Sequence, residues 1–144
     1  MSGERSAFLS LSAALTGFEP VELEGTGVAD LYLDWLRAQS PDGTARLLEA
    51  WAAIERDHAP DGREAALRGQ VMADPVLGPL ARALLALWYT AQWTPLGRGG
   101  TPTSFPTAWA EGLVWKAAAA HATGAKPGGF ANWAAPPAEA PDGR

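Results

Sequence analysis

The chain has 144 residues, 47% of them hydrophobic and 19% charged, with a formal net charge of −5. At that length one domain can bury roughly two-thirds of its unfolded surface, so no disulfide or metal staple is required. The acidic balance, without a basic patch, excludes nucleic acid as a partner; the absence of cysteine excludes disulfides, thiolate nucleophiles, Cys-ligated zinc and iron–sulfur clusters within the chain.

Helical periodicity runs through the sequence, and no strand-like alternation interrupts it. Ser6 can cap a helix from Ala7 to about Leu15, with Phe8, Leu11 and Leu15 on one face and Gly17 as its stop. The start, MSGERSAFLSLSAAL, carries too thin a charge for a signal peptide and reads as an amphipathic helix of the domain. FEPVELEGTG reads as an acidic loop. A second helix is predicted over Val28–Gln39, with Leu31, Tyr32, Trp35 and Leu36 as its stripe and Asp30 and Asp34 near its positive end. SPDG reads as a turn, and Thr44 as the cap of a helix from Ala45 to about Asp57 carrying Leu47, Leu48, Trp51 and Ile54. After HAPDG a polar helix is expected over Arg63–Met72, with Glu64 in a capping-box position.

Asp74-Pro75 is a strong start signal, an N-cap followed by proline at the first helical position. It opens a predicted helix from Pro75 to Trp93. Val76, Leu77, Leu80, Leu84, Leu87 and Ala91 recur at three- and four-residue steps, and Leu85, Trp88, Tyr89 and Trp93 widen the apolar surface until it runs nearly all round. TPLGRGGTPT is a loop; its LGRGG follows a helix, not a strand, so it lacks the context of a phosphate-binding loop. A last long helix is expected over Thr107 to about Ala122, striped by Trp109, Leu113 and Trp115 and ended by Gly124. Together these elements predict an all-α protein, a single bundle of about six helices over 1–137 with an extended Pro/Gly-rich C-terminal arm, followed by a disordered tail over 138–144. No apolar run nears the roughly 18 residues that a membrane span needs.

Chemistry is sparse. His58 and His121 are the two histidines, neither at metal-ligand spacing from another ligand, so no metal site is expected. Glu111 and Lys116 flank the Trp109–Trp115 segment and can be read as an acid and base or as the polar side of a helix. An enzyme built on Glu111 or His121 would lack a positioned partner and oxyanion donors. The seven Trp carry more signal. Trp35 and Trp51, in mid-stripe, are expected in the core; Trp93, Phe130 and Trp133, at a helix end or in the arm, are expected at an interface.

Three ordered segments resemble one family: FLSLSAALTGFEPVELEGTG, DPVLGPLARALLALWYTAQW and AWAEGLVWKAAAAHATGAKPGGFANWAAPP. They are similar to the small subunit of membrane-bound, FAD-dependent sorbitol dehydrogenases, and to the small (gamma) subunits of FAD-dependent glucose, fructose and gluconate-type dehydrogenase complexes. The likeness covers nearly the whole chain and is weakest over Ser40–Val71. It implies a non-catalytic subunit that binds, stabilises and chaperones an FAD-containing large subunit of the glucose–methanol–choline type, in some complexes beside a cytochrome c subunit. It implies no cofactor in this chain, with FAD in the partner. The expected partner surface is Trp88, Tyr89, Gln92, Trp93, Glu111, Trp115, Lys126, Phe130 and Trp133. Relatives carry a twin-arginine signal that takes both subunits to the periplasm; here only Glu4-Arg5-Ser6 precedes Phe8, so a cytoplasmic location stays open beside a periplasmic or inner-membrane-associated one. A competing reading is a free-standing helical protein that binds a small apolar or sugar-like ligand in a Trp-rich pocket.

Overall fold

A computed structural model describes residues 2–97 and 100–118. The fold is all-α, as the periodicity predicts. Its helices are α1 (Ser2–Thr16), α2 (Pro20–Gly25), α3 (Ala29–Gln39), α4 (Pro41–Asp57), α5 (Arg63–Leu67), α6 (Leu77–Thr90) and α7 (Val114–Ala117). A 3-10 turn, Pro60–Gly62, leads into α5, and a π-helical turn, Arg68–Met72, continues it. One two-residue ribbon, β1 (Gln92–Trp93) with β2 (Thr103–Ser104), pairs antiparallel in the register Gln92↔Ser104 and Trp93↔Thr103.

The helix ends follow local chemistry, not always the expected chemistry. α1 begins before Ser6 and stops where Gly17 turns left-handed at φ 80°, its N–H bonded to Ala13 O at 2.9 Å. The acidic stretch expected as a loop contains α2. Pro20 fits its first turn, and Glu22 Oε2 accepts the Glu19 N–H at 2.9 Å, so two features of a helix start sit inside what reads as a loop. α4 begins at Pro41, which turns SPDG into its first turn; Thr44 is a buried residue of that turn, not its cap. α6 starts at Leu77, not at Pro75 as expected, with Val76 at its N-cap position; Asp74 stands just ahead of it, and its Oδ1 accepts the N–H groups of Val76 and Leu77, both at 2.8 Å.

One core unites the helices. α6 packs on α1, α3, α4 and the π turn. It buries Leu77, Leu80, Leu84, Leu87 and Trp88 against Phe8 and Leu11 of α1, Tyr32 and Leu36 of α3, and Leu47, Trp51 and Ile54 of α4. Removing one indole from water takes about 200 Å² out of solvent, about 5 kcal/mol at roughly 25 cal/mol/Å². Trp51 is in this core as expected, its Nε1 donating to Ser10 Oγ at 3.0 Å. The first turn of α1 is tied down by charge instead. Arg5 bridges Glu24 at 2.7 Å and Asp30 at 2.9 Å, while Arg37 forks onto both oxygens of Glu4 and reaches Asp34 at 3.1 Å. The Arg37 hydrogen bond holds the Glu4 carboxyl below its usual range.

Among the described residues no single helix is long and apolar enough to cross a membrane; Pro60–Met72 and Leu77–Thr90 reach that size only together, bent by 114°.

Candidate interaction surface

α6 does not run on to Trp93. It stops at Thr90 because Ala91 takes the left-handed conformation, φ 54°, with its N–H on Leu87 O at 2.9 Å. The chain then folds back over the end of the helix. Phe105 N–H donates to Ala91 O at 2.9 Å and Leu113 N–H to Trp88 O at 3.0 Å, so the returning segment bonds to the carbonyls that α6 leaves open. The long helix expected over Thr107–Ala122 is broken for the same reason. Its described part, up to residue 118, consists of a 3-10 turn, Trp109–Glu111, and the short α7, separated by Gly112 and Leu113; residues 119–122 lie outside the described residues. A Cβ on Gly112 would lie 2.6 Å from Tyr89 O, so the backbone approaches α6 more closely than any larger residue allows.

This fold-back sorts the aromatic residues into an inner and an outer set. Inside, Trp88 stacks on Phe8 with ring centroids 6.1 Å apart and meets Tyr32 edge-on at 5.0 Å. Phe105 sits between Tyr32, at 6.2 Å, and Trp35, at 5.0 Å, and Trp35 meets Trp93 at 6.2 Å. Trp88 and Trp93 are 1% and 2% exposed, which corrects their expected place on a partner surface: they are core residues, Trp93 the buried residue of strand β1. Trp35, expected in the core, is half-buried. The hydroxyl of Tyr32 and the indole N–H groups of Trp35 and Trp88 have no hydrogen-bond partner within the described protein. Burial, with a smaller contribution from the Glu111 charge, pushes the Tyr32 hydroxyl up to about 12.

Outside stands Trp109, 50% exposed, which periodicity assigns to a helix stripe. Trp115 packs edge-on against it at 5.4 Å and donates its Nε1–H to Trp109 O at 3.1 Å, so the two rings hold each other in place. Val114 beside them is 39% exposed. Gln92, Ser104, Phe105, Pro106 and Trp109 line a shallow groove of about 250 Å³ next to this pair. Of the other expected surface residues, Gln92 is exposed, and Tyr89, Glu111 and Trp115 are half-buried. The Tyr89 hydroxyl donates to Thr16 O at 3.1 Å, which ties the ends of α6 and α1 together. Lys126, Phe130 and Trp133 lie outside the described residues, as do His121, the C-terminal arm and the tail.

Sequence reasoning passed over Trp109. Its signal was the punctuation around it, Phe105-Pro106 before and Gly112 after, which breaks the helix and turns the side chain outward. The surrounding charge is also distinctive: no Asp or Glu occurs between Asp74 and Glu111, in a chain whose net charge is −5. Among the described residues no three His, Asp or Glu side chains gather as metal ligands would. Comparison with known protein families, curated proteins and solved structures finds no match to this chain.

Proposed function

We propose that the chain is a non-catalytic interaction subunit that binds and stabilises the FAD-containing large subunit of a sugar or polyol dehydrogenase complex, and that it docks through the α6–α7 end. The observation that carries this reading is the Trp109–Trp115 pair, an indole half exposed to solvent and braced by a second one at 5.4 Å. Tryptophan is the side chain most enriched among interface anchors, and a braced ring loses little conformational freedom on docking. The stretch from Pro75 to Ala110 holds no carboxylate, so Glu111 is the one anion of this surface that docking would strip of water. The likeness of the three ordered segments to small subunits of flavin-dependent dehydrogenases supplies the partner's class. Tyr89, Gln92, Glu111 and Trp115 extend the surface, and Lys126, Phe130 and Trp133 are assigned to it from the sequence. In that likeness the complex is periplasmic, with a cytochrome c subunit where haem accompanies the flavin.

A gentle pull-down from the native host, with visible spectrum and partner masses recorded, tests the reading. A large stoichiometric partner with flavin absorbance is expected, and Trp109→Ala with Trp115→Ala should lose it. A colourless monomer would overturn the proposal. It would favour the second reading, a sugar-like ligand stacked on Trp109, for which the groove of about 250 Å³ lies just below the usual ligand-pocket range of roughly 300–1,000 Å³.

A further inference from the structure

We propose that the outer face of α6 is a second docking surface, which meets the Trp109–Trp115 surface at Tyr89, and that it receives an amphipathic helix of the large subunit with a carboxylate set within its apolar stripe. The identity of the partner rests on the subunit reading above; the shape and charge of the face do not.

α6 buries Leu77, Leu80, Leu84 and Leu87 on one side. Pro79, Arg82, Ala86 and Tyr89 recur at steps of three, four and three on the other, so they form a line along the helix. The ten steps from Pro79 to Tyr89, at about 1.5 Å each, make that line about 15 Å long, nearly three turns of a helix laid beside it. Two shallow clefts flank it, one of about 280 Å³ toward Pro95 and Leu96 and one of about 400 Å³ toward Leu15 and Leu85. A ridge with a groove on each side is the relief into which a second helix packs, and the small Ala86 at its centre permits an axial separation near the short end of about 8–10 Å.

Charge selects the occupant. Arg82 is exposed and is the one charged side chain on this line. Its Nη1 donates to Met72 O at 3.2 Å, which anchors the guanidinium against the π turn, and it has no carboxylate partner among the described residues. Covering a lone cation with a neutral or basic helix leaves it desolvated and unpaired; an acidic helix supplies the missing carboxylate. The rest of this chain is acidic, so a second copy is the alternative occupant that the experiment must separate.

The test uses the full chain expressed with its native partners and a benzoylphenylalanine photo-crosslinker at Leu96, which is 41% exposed in the first cleft. The expected product joins position 96 to a helical segment of the flavoprotein with an Asp or Glu within one turn of the cross-link. Arg82→Glu and Ala86→Arg should each weaken association about tenfold or more, while Arg82→Lys keeps most of it and all three variants melt near the parent temperature. A flavoprotein bound with unchanged affinity by Arg82→Glu and Ala86→Arg overturns this inference and leaves the subunit reading standing. The same cross-link to an acidic helix of a protein without flavin supports the face and overturns the dehydrogenase reading. Cross-links only between copies of this chain, or none at all, overturn the inference.

Discussion

Asp74 shows how much one side chain can settle. Its carboxylate accepts two backbone N–H groups, and those bonds, that from Leu77 first and that from Val76 second, hold it below the usual carboxylate range. A group whose value is lowered on folding binds fewer protons folded than unfolded. Its contribution is therefore complete above the unfolded value and fades as pH falls through the folded one. Asp74→Ala should lower the melting temperature at neutral pH, and the gap from the parent should narrow below the usual carboxylate range. A gap that stayed constant down to pH 2 would show that the loss lies in packing instead of the cap. This residue was legible because its bonds are local: the oxygen, the proline after it and the helix start at Leu77 lie within four residues of sequence. Trp88 and Trp93 were not. Periodicity marks a residue as apolar and on a face, but which apolar residue is covered depends on chain far away. Here that is α3 and the ribbon strand beyond the loop.

At the scale of elements, the interior stripes were legible and the ends were not. The stripes of α3, α4 and α6 follow from spacing alone, because every third or fourth side chain must share a face. The end of α6 and the start of α7 are set by tertiary bonds to Trp88 and Ala91 and by the close approach of Gly112 to Tyr89 O, which no window of local sequence contains. Ala91 is the point of conflict. An alanine at φ 54° carries roughly 1–2 kcal/mol of left-handed strain that a glycine would not. Glycine also gains unfolded-state entropy, worth about 0.4–1 kcal/mol. Ala91→Gly should then be neutral or stabilising by up to about 1 kcal/mol in chemical denaturation. The same change at Ala83, inside α6, should destabilise by about 1 kcal/mol. If both substitutions destabilise equally, Ala91 is not left-handed in solution and α6 continues toward Trp93, as the sequence pattern alone would have it.

For the molecule as a whole, the fold-back over α6 separates aromatic residues that hold it together from those left for a partner, and the two sets respond differently to truncation. Trp93 is 2% exposed and packed on Trp35, so Trp93→Ala opens a cavity and should cost about 3–5 kcal/mol. The melting temperature should fall by roughly 10 °C or more. Any loss of partner binding would follow from that unfolding and recover on cooling. Trp109 is half exposed, and its truncation removes chiefly the ring contact with Trp115, about 1 kcal/mol. Stability should barely move, whereas an interface anchor of this kind carries about 2 kcal/mol or more of binding, roughly thirtyfold in Kd. Melting curves and titration against the isolated partner, run on both variants, separate the two roles. If Trp109→Ala binds as the parent does, the α6–α7 end is not the docking face, whatever Trp93→Ala does to the fold.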